Sequence, residues 1–175
     1  AWAHDGRSLY VQYDDHANVK VARLSLSGKM ETVAEGLGGG SLDRPYTGGQ
    51  FTVANNGAVA FTKASAQQPT EIAIARGGKV RQLTHLNDGF LTSKTLGQVK
   101  PLKVTSSFDK RDIAAWMVTP PNFDRSKKYP LILEIHGGPF AAYEPRFSTD
   151  YQLYAAAGYA VLYTNPRGST SYGHE

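Results

Sequence analysis

The sequence predicts a fold in two parts, an antiparallel β part over residues 1–95 and an α/β part over residues 96–175. Three observations predict it: short β-type runs between turn dipeptides in the first part, a repeat of about 50 residues within that part, and a strand–helix–strand pattern in the second part. Hydrophobic residues make up 41% of the chain and charged residues 19%, a composition typical of a folded globular protein.

Five short runs in the first part are rich in β-branched or aromatic residues, and turns containing glycine separate them. No helical period runs through this part of the chain. We therefore expect it to be all-β and antiparallel. The runs are residues 9–13, 19–26, 51–53, 58–62 and 71–75.

The first part also repeats itself. Asp5-Gly6 precedes a β-type run, and Asn56-Gly57 does so 51 residues later. Gly28-Lys29 follows such a run, and Gly78-Lys79 does so 50 residues later. Units of this length fit blades of a β-propeller, so we expect residues 1–95 to hold the last two blades of an incomplete propeller. A plain β-meander with glycines in its turns is the alternative.

The second part opens with two predicted strands, residues 102–107 and 112–119, with the turn FDKRD between them. A polar loop bounded by prolines follows, and then the run LILEI at residues 131–135. Because this run is almost wholly apolar, we expect a strand that is covered on both faces, as in a parallel sheet.

A helix and another strand complete this pattern. Ser148 is suited to cap a helix TDYQLYAAA, and Gly158 is suited to the position just after the helix. The apolar run YAVLY follows at residues 159–163. Strand, helix and strand in this order form a βαβ unit, the building block of an α/β sheet.

The segment His136-Gly137-Gly138-Pro139 directly follows the predicted strand 131–135. Ligands of α/β proteins bind at the carboxyl ends of the strands, and glycines let a carbonyl oxygen approach backbone N–H groups closely. Such an N–H stabilises the oxyanion of an acyl-transfer intermediate, and in α/β-hydrolases one donor comes from this loop. A Gly-Gly-Pro turn with no catalytic role fits these four residues equally well.

The segment Asn165-Pro166-Arg167-Gly168 follows the next strand and so belongs to the same edge of the predicted sheet. Arg167 has the chemistry to pair with a carboxylate, in two parallel hydrogen bonds where the geometry allows. A lone arginine in such a loop more often organises the loop than takes part in catalysis.

Other kinds of site are not indicated. The chain has no cysteine, and no histidine or carboxylate cluster has the spacing of metal ligands, so we expect neither a metal nor a cofactor. Its 19 Lys and Arg against 15 Asp and Glu form no basic cluster, which argues against nucleic acid and anionic membranes as partners. No apolar run reaches the length of a membrane span.

The nucleophile pattern of α/β-hydrolases, G-x-S-x-G, occurs nowhere in the 175 residues. In that fold the serine, acid and histidine of the triad all follow the oxyanion loop in the chain. An oxyanion loop without a nucleophile cannot transfer an acyl group. We therefore expect the 175-residue segment to be inactive by itself.

Taken together, these motifs resemble the prolyl oligopeptidase family of serine peptidases, in the branch of the acylaminoacyl peptidases and dipeptidyl-peptidase-like enzymes. The resemblance is carried by three stretches: GKVRQLTHLN at residues 78–87, the strand–loop–strand stretch ending in HGGP at residues 106–139, and YAVLYTNPRGSTSYG at residues 159–173. It covers nearly the whole chain, weakly over residues 1–95 and strongly beyond residue 104.

The resemblance implies the N-terminal part of an α/β-hydrolase domain over residues 96–175, covered by a propeller that admits only short peptides. It implies that Gly138 donates its N–H to the oxyanion, that His136, Gly137 and Pro139 shape the loop, and that Arg167 lies at the active-site rim. The triad would lie beyond Glu175, so the remainder of the same protein is the expected partner.

Two other functions fit the residues. An α/β-hydrolase esterase would use the same oxyanion loop, and a non-catalytic protein could hold peptides with the same fold. The sequence leaves open the substrate preference, exopeptidase against endopeptidase action, the oligomeric state and the cellular compartment.

Overall fold

A computed structural model of the chain describes residues 1–138 and 140–173. The chain is mostly β-sheet with few helices. Its elements are β1 (Ser8–Asp15), β2 (Asn18–Ser25), β3 (Met30–Leu37), β4 (Phe51–Val53), β5 (Val59–Ser65), β6 (Gln68–Arg76), β7 (Lys79–Gln82), α1 (Asp88–Leu91), β8 (Gln98–Thr105), β9 (Asp112–Thr119), β10 (Leu131–Ile135), α2 (Thr149–Ala156) and β11 (Ala160–Thr164).

The first sheet is antiparallel, in the order β1-β2-β3-β5-β6-β7, with β4 paired to β5. Trp2 forms an isolated bridge to Leu9. The seven strands therefore divide into two units, β1–β3 with this bridge and β4–β7. The repeated glycines of the sequence occupy equivalent turns of the two units. Gly6 corresponds to Gly57 and Gly28 to Gly78, and all four have positive φ.

One short helix departs from the expected all-β first part. α1 covers four residues between β7 and β8 and buries none of them. The prediction was wrong here because a single turn is too short to produce a hydrophobic period of 3.6 residues. The two units of the first sheet nevertheless share one apolar core, formed by Ala3, Tyr10, Val19, Val21, Ala34, Leu37, Val59, Phe61, Ala73 and Ala75.

The second sheet has the order β10-β11-β9-β8. β10 and β11 are parallel, whereas β9 is antiparallel to both of its neighbours. The predicted βαβ unit is confirmed, with α2 packed on β9 and β11. The capping prediction is also confirmed, because the Ser148 hydroxyl accepts from Tyr151 N and Gly158 has φ +91°. In the part of the chain that the structure describes, no helix is long and apolar enough to cross a membrane.

Among the described residues the run 131–135 is covered on one face, whereas the sequence predicts cover on both. Leu131, Leu133 and Ile135 are 57%, 54% and 60% exposed, whereas Ile132 packs against the core of the second sheet. β10 is the last strand in the sheet order, and no described helix or strand covers its outer face. The almost wholly apolar run therefore predicted this strand correctly.

Glu71 is a buried carboxylate that fixes the chain where it leaves the first sheet. It accepts hydrogen bonds from the Thr84 hydroxyl and from the backbone and side chain of Asn87, the latter two at 3.0 and 2.8 Å. Burial raises the pKa of Glu71, but these hydrogen bonds to the charged form outweigh burial and hold the pKa at about 2.

We predict that Glu71→Gln destabilises the full-length protein at pH 7 by roughly 1–3 kcal/mol, because an amide nitrogen replaces one accepting oxygen. Since the folded pKa is depressed, the contribution of Glu71 exists above the unfolded pKa and is lost as the pH falls from about 4.5 to about 2. Unfolding midpoints should therefore differ most at neutral pH and converge in acid. The exposed Glu31→Gln is the control, and a difference that does not depend on pH would contradict the assignment.

Candidate functional site

The HGG loop, residues 136–138, leaves β10 at its carboxyl end. The His136 side chain is buried, whereas Gly137 and Gly138 are exposed. Gly138 has φ +134°, and a Cβ at this position would lie 2.8 Å from Phe140 N, so the backbone requires glycine. Among the described residues no acceptor pairs with the Gly138 N–H. Pro139 lies outside the described residues.

The His136 ring joins the HGG loop to the loop that follows β11. Its Nε2 lies 2.8 Å from Ser169 Oγ, and both side chains are buried. The Ser169 hydroxyl donates its one proton to the Pro166 carbonyl at 2.6 Å. The Ser169 hydroxyl thereby links the His136 ring to the Pro166 carbonyl.

Asn165 fixes the chain just beyond the HGG loop. Its Oδ1 accepts from Tyr143 N at 2.7 Å, and its Nδ2 donates to Tyr143 O at 2.8 Å and to Tyr172 Oη at 2.9 Å. The side chain is buried and thus uses its carbonyl and both amide protons inside the protein. The chain segment around Tyr143 is thereby held against the end of β11.

Arg167 lies at the carboxyl end of β11, as expected, and is half exposed. Its Nη1 pairs with the Asp109 carboxylate, its Nη2 donates to Ser106 Oγ at 2.8 Å, and its guanidinium lies 5.6 Å from the centre of the Phe108 ring. These partners belong to the turn between β8 and β9. The side chain therefore organises two loops in this structure.

A cavity of about 1180 Å³ lies beside the loop after β11. Its walls carry both signs of charge. They come from the β1–β2 turn, from β8 and β9, from Phe140 and from residues 165–173. No group of three potential metal-ligating side chains occurs among the described residues.

A third contact brings the first sheet to this site. Residues 45–47, in the connection between β3 and β4, pair with residues 142–144 through Thr47 N to Ala142 O and Glu144 N to Pro45 O, both 2.8 Å. The Tyr46 ring lies 6.5 Å from the His136 ring and 5.0 Å from the Tyr143 ring, measured between centroids. Three loops thus meet around His136.

The sequence predicts His136, Gly137 and Gly138 as site residues, but it assigns no role to Asn165, which stands in a quoted motif, or to Ser169 and Tyr46. Asn165 and Ser169 stand in the same motif as Arg167, and their polar side chains next to an apolar strand were an available signal. Tyr46 carried no signal, because it is 90 residues before His136 in the chain.

Comparison with known proteins identifies the architecture, although no family model matches the chain. An uncharacterised peptidase, YuxL of Bacillus subtilis, is 29% identical over 99% of this chain and 25% of its own length. A probable dipeptidyl-peptidase 5 of Arthroderma benhamiae is 34% identical over 99% of this chain and 24% of its own length. The crystal structure of an acylaminoacyl peptidase of Pyrococcus horikoshii superposes with a TM-score of 0.76 and 25% identity, covering 97% of this chain and 25% of that one.

Along nearly its whole length the chain is similar to peptidases, among them a probable dipeptidyl-peptidase 5 and an acylaminoacyl peptidase. This similarity confirms the resemblance read from the motifs. The chain spans about a quarter of the length of the relatives it matches.

We predict that Asn165→Asp destabilises the full-length protein by about 2 kcal/mol or more, because a buried carboxylate cannot donate to the Tyr143 carbonyl. Thermal unfolding at neutral pH measures the effect. The matched control is Asn56→Asp, since the exposed Asn56 Oδ1 only accepts, from Ala58 N at 3.1 Å, and a carboxylate preserves that bond. Equal stability of the two variants would contradict the role given to Asn165.

Proposed function

We propose that this chain supplies the oxyanion loop of a serine peptidase that cleaves short peptides through an acyl-enzyme. The observation that carries the proposal is the exposed Gly138 N–H, fixed by a positive φ at the carboxyl end of β10 in a chain homologous to peptidases. The serine nucleophile and its acid and base belong to parts of the protein outside these 175 residues.

In this mechanism the serine oxygen attacks the scissile carbonyl carbon, and the carbonyl oxygen becomes an oxyanion. The Gly138 N–H donates to that oxyanion, and a fixed backbone donor of this kind is worth roughly 3–4 kcal/mol in the transition state. Collapse of the intermediate expels the amine and leaves the acyl-enzyme, which water then hydrolyses. His136 and Gly137 shape the loop, and Arg167 stands at the rim.

The domain organisation is part of the proposal. Residues 1–95 form the last two blades of a β-propeller, and residues 96–175 begin the α/β-hydrolase domain. The equivalent turn glycines in the two units of the first sheet and the βαβ unit of the second support this division. A propeller over the active site would admit short peptides and exclude folded proteins.

A fluorophosphonate probe tests the proposal, since it reacts with activated serines. We expect the full-length protein to be labelled once, on a serine outside these 175 residues, and to hydrolyse peptide p-nitroanilides in preference to p-nitrophenyl esters. The isolated 175-residue chain should remain unlabelled. Stoichiometric labelling of a serine within the 175 residues, or an unlabelled full-length protein, would refute the proposal.

A further inference from the structure

The connection between β3 and β4 leaves the first sheet and lies against the chain that follows the HGG loop. Residues 39–47 of this connection, called the junction segment below, pair with residues 142–144 as described above. Further along, the Thr149 N–H donates to Leu42 O at 2.7 Å, and Arg44 pairs with Asp150 at 2.6 Å and with Glu134 at 3.2 Å. The junction segment therefore contacts both β10 and α2 of the second sheet.

Arg146 holds the junction segment in shape. Its guanidinium has five N–H groups, and five hydrogen bonds run from them to four carbonyl oxygens of the junction segment, at distances between 2.7 and 3.3 Å. The accepting residues are Gly39, Ser41, Arg44 and Tyr46. The arginine is 5% exposed, and its Nε also lies 2.9 Å from the Glu144 carboxylate. A different path of the junction segment would leave this buried guanidinium unsatisfied.

Tyr46 connects the junction segment to the HGG loop. Its backbone carbonyl is held by Arg146, and its ring packs edge-on against His136 and tilted against Tyr143. His136 immediately precedes the two glycines, and its far side is held by Ser169. The ring of His136 thus contacts the rings of Tyr143 and Tyr46, at 5.2 and 6.5 Å between centroids, and the hydroxyl of Ser169.

We propose that the junction segment positions the oxyanion loop, with Arg146 and Tyr46 as positioning residues for the Gly138 N–H. The inference rests on the proposed function and adds to it. The part of the protein before the hydrolase sheet then acts on the chemical step, in addition to any role in admitting substrate.

The expected kinetic signature follows from where the oxyanion exists. The interaction with the Gly138 N–H is strong in the transition state and weak with bound substrate, so a displaced loop lowers kcat and leaves KM nearly unchanged. Small displacements of catalytic groups, or loss of one oxyanion donor, cost up to about 100-fold or more in rate. We therefore expect a roughly 10- to 100-fold loss when the contact between Tyr46 and His136 is lost.

Tyr46→Ala in the full-length protein is the central test, because Tyr46 is 37% exposed and its backbone pairing does not need the side chain. We expect kcat for an alanyl-alanyl- or acetylalanyl-p-nitroanilide, whichever the wild type cleaves, to fall roughly 10- to 100-fold with KM within about twofold. Affinity for the corresponding peptide aldehyde, which forms an oxyanion-like adduct, should fall in parallel. Tyr46→Phe keeps the ring and should restore both values.

Two further variants provide a control and a second test of the positioning role. Tyr13→Ala removes a tyrosine elsewhere in the first sheet, one that pairs with Thr32 at 3.1 Å, and should leave kcat unchanged. Arg146→Lys keeps the charge but loses the five-bond pattern. It should lower kcat in the same sense as Tyr46→Ala, and the double variant should lose less than the product of the two effects, because both act through one segment.

The possible outcomes separate the two levels of the proposal. A wild-type protein that neither reacts with fluorophosphonate nor cleaves the anilides refutes the proposed function. An active wild type whose Tyr46→Ala variant keeps kcat and aldehyde affinity refutes the positioning role, even if its melting temperature falls. Equal losses in Tyr46→Ala and Tyr13→Ala would likewise refute it.

Discussion

The arrangement of the two sheets depends on the hydrogen bonds that the buried Arg146 guanidinium donates to the junction segment. A charge that is only 5% exposed is costly unless every donor finds an acceptor. Burial lowers the pKa of Arg146, and the same burial raises the pKa of its partner Glu144 to about 8, against the opposing effect of the arginine. The carbonyl oxygens of the junction segment accept hydrogen bonds from the Arg146 guanidinium. The first sheet's connection is thereby tied to the chain that bears the HGG loop.

Tyr143 connects this contact between the two sheets to the core of the second sheet. Its backbone is paired with Asn165, and its ring contacts the rings of Tyr46, His136, Tyr151 and Tyr163 at centroid distances between 5.0 and 6.5 Å. Ala17, from the β1–β2 turn of the first sheet, packs into the same core. The turn is held there by hydrogen bonds from His16 N and Ala17 N to Ser171. Loops from both sheets are therefore fixed by a single aromatic cluster, so that movement of one would disturb the others.

Local sequence signals predicted most of the strands and the helix α2, because hydrophobic period, turn glycines and capping residues act over a few residues. The repeat of about 50 residues was visible because the same turns need glycine twice. Burial was less predictable: the run 131–135 formed the expected strand, and among its described contacts Ile132 packs against the core of the second sheet. The hydrophobic period of a sequence predicts whether a segment is a strand or a helix, and not what packs against it.

The site was predictable only in part, for the same reason. The HGG loop is recognisable in the sequence by two glycines after an apolar strand. The residues that support this loop are not recognisable in the sequence. Ser169, Arg146 and Tyr46 act through contacts between segments that are 33 to 107 residues apart in the chain. Arg167, the more conspicuous residue of its motif, pairs with the β8–β9 turn, whereas the less conspicuous Asn165 and Ser169 hold the loop around His136. Only the fold brings these together.

The most direct test of the account is a crystal structure of the full-length protein bound to a peptide aldehyde. We expect a hemiacetal oxygen about 3 Å from Gly138 N, with the Tyr46 ring still packed against His136 and the Arg146 guanidinium still bound to the junction segment. A covalent adduct whose oxygen is held by other donors, with the Gly138 N–H turned away from it, would contradict the account.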